Sequence, residues 1–137
     1  MNELNRTELD NMMRKAVDAR ERAYAPYSHF KVGACLLASS GRYYMGCNVE
    51  NAAYTPTNCA ERTALFQAIY EGERSFDGIA ITCTGKEPAF PCGVCRQALS
   101  EFCDPAMPVY CANVDGEAVL TTLGQLLPHS FGPKDLL

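Results

Sequence analysis

Cys92 and Cys95 stand three residues apart at the start of a run that Pro91 opens, and Pro suits the first turn of a helix. A helix there carries both thiols on one face, where one metal ion bridges them. Cys59 opens a second helical run and is the candidate third thiolate. Three protein ligands leave one tetrahedral position free for water, the arrangement of a catalytic zinc rather than a structural one. The alternative is a closed site of four cysteines, drawing on Cys35, Cys47, Cys83, Cys103 or Cys111. None of these makes a second close pair. Four of them lie in or beside predicted strands and Cys103 ends a helix, so they are expected to be small buried apolar side chains. His29 and His129 lack metal-ligand spacing from any cysteine and read as ordinary histidines.

Three thiolates around Zn²⁺ leave a formally anionic site, in which a bound water is a poor acid. Arg62 and Arg96, beside the cluster in sequence, are the candidate compensating charges, assisted by the positive ends of two helices. Their alternative is a solvated surface position. Glu61, two residues beyond Cys59, is too close to be a comfortable co-ligand. It is well placed to carry protons between the water and a substrate nitrogen. A lone Glu in a first helical turn is ordinarily a dipole partner, so this role rests on Cys-Ala-Glu occurring together with Pro-Cys-x-x-Cys.

The elements that must hold these residues follow from periodicity. Leu9, Met12, Met13, Ala16, Val17 and Ala23 keep a helical period, with Asn5 or Thr7 as N-cap and Glu8 or Asp10 completing a capping box. This helix is expected to stop near Tyr24, ahead of Pro26. Residues 30–39 place Val32, Ala34, Leu36 and Ala38 on one face and pair as a hairpin with residues 43–47 across Ser40-Gly41. Residues 46–58 have loop composition. A helix then runs from Cys59 to a stop at Gly72. Residues 78–84 form a buried strand, 85–91 a loop and 92–102 a helix. Short strands at 109–113 and 118–121 flank Asp115-Gly116, and Thr122 with Gln125 caps a last short helix that ends at Pro128. The order α-β-β-α-β-α-β-β-α, with right-handed crossovers at its central βαβ units, implies α/β architecture. It is a three-layer α/β/α arrangement with a mixed central sheet of about five strands. The two cysteine-bearing helix starts are expected to meet at one end of the sheet.

Composition bounds the rest. A chain of 137 residues fits one domain, residues 1–137, of ordinary size. With 47% hydrophobic and 20% charged residues it has a real core, and 10 Gly and 8 Pro exclude collagen-like or disordered classes. No apolar run approaches the roughly 18 residues that cross a bilayer. The first ten residues are polar where a signal peptide carries its apolar stretch, so a cytoplasmic location is expected. In that reducing compartment the 8 cysteines serve metal binding, catalysis or burial rather than disulfides. A net charge of −4 lacks the electrostatic footprint for a nucleic acid polymer and favours a small substrate.

Cys59-Ala60-Glu61-Arg62 together with Pro91-Cys92-Gly93-Val94-Cys95-Arg96-Gln97 resembles the zinc nucleobase deaminases, whose signature joins a ligand-x-Glu element to Pro-Cys-x-x-Cys. Three cysteine ligands narrow the likeness. So do Ala25-Pro26-Tyr27-Ser28-x-Phe30-x-Val32-Gly33-Ala34, Gly46-Cys47-Asn48-x-Glu50-Asn51-Ala52 and Leu126-Leu127-Pro128, which extend it over nearly the whole chain. The sequence is similar to the short-chain, homotetrameric type of cytidine deaminase. That resemblance implies hydrolytic deamination of cytidine and deoxycytidine to uridine and deoxyuridine with release of ammonia, one Zn²⁺ per subunit held by Cys59, Cys92 and Cys95, and Glu61 as proton shuttle. It further implies that Ala60 offers its N–H to the base and that Phe30 packs on it. Asn48 and Glu50 would hydrogen-bond the ribose hydroxyl, and Tyr54 and Phe131 would lie at subunit boundaries of a homotetramer with shared active sites. Phe90 and Val94 depart from the family, which usually has Ser or Thr and commonly Ala there.

Two other readings compete. A deaminase of a cytosine-containing antibiotic, as in the blasticidin S deaminases, shares both zinc motifs, although Asn48-x-Glu50 argues for a ribose. A zinc-stabilised binding module without turnover explains Cys-x-x-Cys but leaves Glu61 without purpose. Polynucleotide editing lacks a basic stripe with interleaved aromatics.

Overall fold

In the computed structural model, which describes residues 3–137, Asn5 caps the first helix, its Oδ1 accepting from the Glu8 N–H at 2.8 Å. Glu8 does not close the reciprocal half of a box; its carboxylate accepts from the Tyr43 hydroxyl instead. The helix, α1, spans Arg6–Arg20 and ends before the expected Tyr24. Tyr24 is taken by extended pairing with a distant segment, donating to Asn48 O at 3.0 Å and accepting from Glu50 N at 2.8 Å, so it is unavailable to the helix.

The remaining elements are β1 (Val32–Ala38), β2 (Tyr43–Cys47), α2 (Ala60–Tyr70), β3 (Phe76–Cys83), α3 (Gly93–Ser100), β4 (Pro108–Ala112), β5 (Ala118–Thr122) and α4 (Leu123–Leu126). A 3₁₀ turn at Pro133–Asp135, not anticipated from the sequence, follows them. Gly72, with φ at +99°, stands just beyond α2, and α4 carries the full Thr122–Gln125 capping box.

The strands form one sheet in the order β2-β1-β3-β4-β5. Only β3 and β4, joined through α3, run parallel; the other neighbours are antiparallel. Alternation sends Ala34, Leu36, Ala38, Ile79, Ile81 and Val109 to one face, where Ala64, Leu65 and Ala68 of α2 and Leu99 of α3 cover them. Cys35, Leu37, Ala80 and Tyr110 face the other way, beneath Leu9, Met12 and Ala16 of α1. Helices thus cover both faces of a mixed five-stranded sheet, the expected α/β/α layering. Among the described residues no helix is long and apolar enough to cross a membrane.

Gly46 sets how deeply α2 sits. A Cβ at that position would stand 2.3 Å from the Ala60 carbonyl oxygen and 2.6 Å from the Ala64 nitrogen, both backbone atoms. Only glycine lets β2 pass so close beneath the first turn of the helix. Of the five spare cysteines, Cys35, Cys83, Cys103 and Cys111 are buried as expected. Cys47 is only half-buried, because it ends the edge strand β2.

Candidate active site

Cys59 and Cys92 are the N-cap residues of α2 and α3, each with extended backbone and neither using its side chain as a cap. Cys95 lies within the first turn of α3 and is buried. The two helix starts converge, and the three Sγ atoms lie within 4.8 Å of one another, Cys59 Sγ standing 3.8 Å from Cys92 Sγ. Zn–S bonds of about 2.3 Å in a tetrahedron put sulfurs about 3.8 Å apart. Soft thiolate donors at that separation, at the positive ends of two helices, fit a zinc ion, and three of them leave one position open. Neither histidine belongs to this cluster.

Arg62, one turn beyond Cys59, donates from Nη2 to Cys59 Sγ at 3.3 Å and from Nε to Cys95 Sγ at 3.4 Å. Of Cys59 and Cys95, Cys59 is the sulfur that ionises first. Its pKa falls below the ordinary thiol value because Cys95 donates a hydrogen bond to it, with Arg62 and Cys92 adding to the effect. Cys95 moves upward, chiefly through that same bond to Cys59. Arg96 takes a different part from the one expected of it. Its Nε donates to Pro91 O at 2.6 Å and its Nη1 to Leu126 O at 2.9 Å. It ties the segment preceding Cys92 to α4, and its hydrogen bonds go to carbonyls rather than to sulfur.

Glu61 is 4% exposed, a carboxylic acid enclosed by protein. Burial raises its pKa to about 7, against a downward pull from its own backbone N–H and from Arg62. Desolvation dominates because a charge removed from water costs more than these partners return. Glu61, Cys59 and Cys92 line one cavity of about 230 Å³ together with Ala60, Phe30, Asn48, Glu50 and Phe90. As the first residue of α2, Ala60 has no intrahelical acceptor for its N–H.

The cavity mouth is built by a network that the sequence did not disclose. The side-chain amide of Asn48 donates to Phe30 O at 2.8 Å and accepts from Val32 N at 2.8 Å, bracketing the start of β1. Glu50 Oε1 accepts from Tyr27 N at 3.0 Å and from Ser28 N at 3.1 Å, while its Oε2 accepts from the Ser28 hydroxyl. That hydroxyl bond is the main reason the Glu50 pKa lies below the ordinary carboxylate value. Ser28 Oγ also accepts from Phe30 N at 3.0 Å. Asn48 and Glu50 therefore reach the cavity while holding the backbone that presents Phe30. The signal for this network was Ser28 itself, a hydroxyl next to the aromatic run. Tyr54 and Phe131 are outside the cavity lining, 77% and 60% exposed. Tyr54 has left-handed backbone at φ 66°, and the Phe131 carbonyl accepts from Gln97 Nε2 at 2.8 Å. Phe90 lines the cavity and Val94 is exposed on α3.

Three sulfurs converging at two helix starts, beside a buried carboxylic acid under an α/β/α sheet, define a site for metal-assisted hydrolysis. Residues 6–111 match the family described as "Cytidine and deoxycytidylate deaminase zinc-binding region". The chain is 49% identical to a cytidine deaminase of Sporosarcina psychrophila, over 94% of this chain and 95% of that one. It is 46% identical to a cytidine deaminase of Halalkalibacterium halodurans, over 91% and 95% of the two chains. The fold matches the crystal structure of cytidine deaminase from Burkholderia pseudomallei with a TM-score of 0.86 and 45% identity, covering 93% of this chain and 100% of that one. The chain belongs to the cytidine and deoxycytidylate deaminase family, and it is a zinc enzyme.

Proposed function

We propose that this protein deaminates cytidine and deoxycytidine hydrolytically, giving uridine and deoxyuridine and releasing ammonia. The observation that carries the reading is the placement of Glu61 and the sulfur cluster in the wall of one cavity. Cys59, Cys92 and Cys95 hold the zinc. When bound, Zn²⁺ supplies Lewis acidity that lets water act as a nucleophile near neutral pH. Glu61, with a pKa near 7 set by burial, accepts a proton from the attacking water on its carboxylate. It delivers that proton to the ring nitrogen beside the amino-bearing carbon, then takes the remaining proton from the newly added hydroxyl and carries it to the departing amine, which leaves as ammonia as the carbonyl forms. Ala60 offers its N–H to the base, and Phe30 packs against the ring. The second N–H of the Asn48 amide and the remaining lone pairs of Glu50 are free to meet a ribose hydroxyl. Arg62 offsets the thiolate charge.

The family resemblance extends the reading to a single catalytic domain, acting in the cytoplasm as a homotetramer in which Tyr54 and Phe131 stand at subunit boundaries near a neighbour's substrate. Their exposure on their own subunit supports that placement. Purified protein incubated with cytidine, with metal content measured in parallel, tests the activity. Loss of cytosine absorbance with matching ammonia release is expected. Zinc-loaded protein that leaves cytidine intact would turn the reading toward a binding module, and turnover of free cytosine equal to that of cytidine would reopen the antibiotic-deaminase alternative.

A further inference from the structure

Gly85 is the first residue of the loop after Thr84, outside every motif that suggested the function. A Cβ built on it would meet Phe30 Cε1 at 2.9 Å and Phe30 Cζ at 3.7 Å. The bare Cα is thus the seat against which the Phe30 ring rests. Neither backbone is free to retreat. Lys31 N donates to Thr84 Oγ1 at 3.1 Å and Thr84 N to Lys31 O at 3.0 Å, lacing the residues next to the contact. Gly85 O is held by Val114 N at 3.0 Å. Phe30 is held on its N–H by Ser28 Oγ and on its carbonyl by Asn48 Nδ2. With both main chains fixed, the part that yields to any added atom at position 85 is the far edge of the Phe30 ring. Phe30 lines the cavity, so a displaced ring moves within the space the base must enter.

We infer that Gly85 is a positioning residue for substrate: lacking a side chain, it sets the tilt of the Phe30 ring and hence the width of the base slot. This rests on the reading of Phe30 as the ring that packs on the base. The Gly85 φ lies outside the left-handed region that excludes alanine. Of the atoms an added Cβ would meet, only Phe30 Cε1 is closer than ordinary van der Waals contact, with Cys83 Sγ at 3.7 Å, so the substitution acts chiefly through the ring.

The test is a double-mutant cycle with Gly85→Ala and Phe30→Ala, reading KM and kcat for cytidine, zinc content and melting midpoint on each full-length zinc-loaded protein. Gly85→Ala is expected to raise KM roughly 3- to 10-fold, about the value of one aromatic stacking contact, with kcat nearly unchanged. In the Phe30→Ala background the same change is expected to leave KM unaltered, because no ring remains to be displaced. If Gly85→Ala lowers the melting midpoint, Phe30→Ala should restore it. An unchanged KM in Gly85→Ala, or an equal effect with and without the ring, overturns the inference while leaving the base-packing role of Phe30 intact. A Phe30→Ala protein with the parent KM removes that role itself, and the seat with it.

Discussion

Arg62 Nη2 lies 3.3 Å from Cys59 Sγ, one helical turn from the residue it serves, and the same guanidinium reaches Cys95 on the facing helix. A planar fork spanning two sulfurs on two helices does more than lower the net charge. It also links the start of α2 to the first turn of α3. Such outer partners of metal ligands typically carry about 10- to 100-fold in affinity. Arg62→Gln is accordingly expected to weaken zinc binding by roughly that factor, measured by competition with a chromogenic chelator. Arg62→Lys should recover only part of it, since a point charge cannot bridge both sulfurs. A glutamine variant that holds zinc as tightly as the parent would reduce Arg62 to a bystander.

Glu61→Gln preserves shape and volume at a buried position in the cavity wall but removes the titrating oxygen. Zinc content and melting midpoint should stay near those of the parent. Cytidine turnover should fall by roughly 10²- to 10⁴-fold or more, the range for losing a general acid-base group. Near-normal turnover would take the proton shuttle away from Glu61.

What could be read from the sequence was what depends on neighbours in the chain. Cys92 and Cys95 share a helix face by spacing, and Glu61 follows Cys59 into the same first turn, so the cluster was visible without a fold. Arg62 and Arg96 looked equivalent because each follows a cysteine motif. Their difference lies in a partner 30 residues away, the Leu126 carbonyl, which only the packing of α4 against α3 brings within reach of Arg96. The same holds for the early end of α1. Pro26 marked a boundary, but the actual one was drawn by Tyr24 pairing with residues 48–50. Asn48 and Glu50 were visible as polar residues in a loop. Their bonds to residues 27–32 belong to the tertiary structure and tie the loop to the start of β1 where it meets the cavity.

Cys35, Cys103 and Cys111 each have a pKa raised by burial from 9.0 to about 12. In the folded chain these thiols keep protons that the unfolded chain releases above pH 9.0, so the folded state binds more protons between the two values. Their contribution is complete below pH 9.0 and is lost as pH rises through about 12. The urea midpoint should therefore decline as pH is raised above 9.0, and replacing all three with alanine should make the decline shallower even though the variant starts from lower stability. At neutral pH a thiol reagent should leave these three unmodified in the native protein and reach them after denaturation. An equally steep decline in the triple variant would take the alkaline loss away from these three thiols.

The C-terminal segment offers the sharpest test of assembly. Residues 130–137 are tied to the body through the Gln97 Nε2 bond to the Phe131 carbonyl, while the Phe131 side chain is 60% exposed and points no contact into its own cavity. If the tail served only its own subunit, removing it would strip cover from α3 and α4 and lower stability without a specific effect on substrate. If Phe131 closes a neighbour's site, assembly and activity are lost together. Deleting residues 130–137 is expected to shift the sedimenting species below that of the full-length protein and to cut cytidine turnover, while the zinc content of each chain holds because Cys59, Cys92 and Cys95 remain. Phe131→Ala, which keeps the backbone bond from Gln97, should reproduce the loss of turnover more than the loss of assembly. A truncated chain that sediments as a fully active monomer would overturn the shared site and leave the zinc chemistry standing.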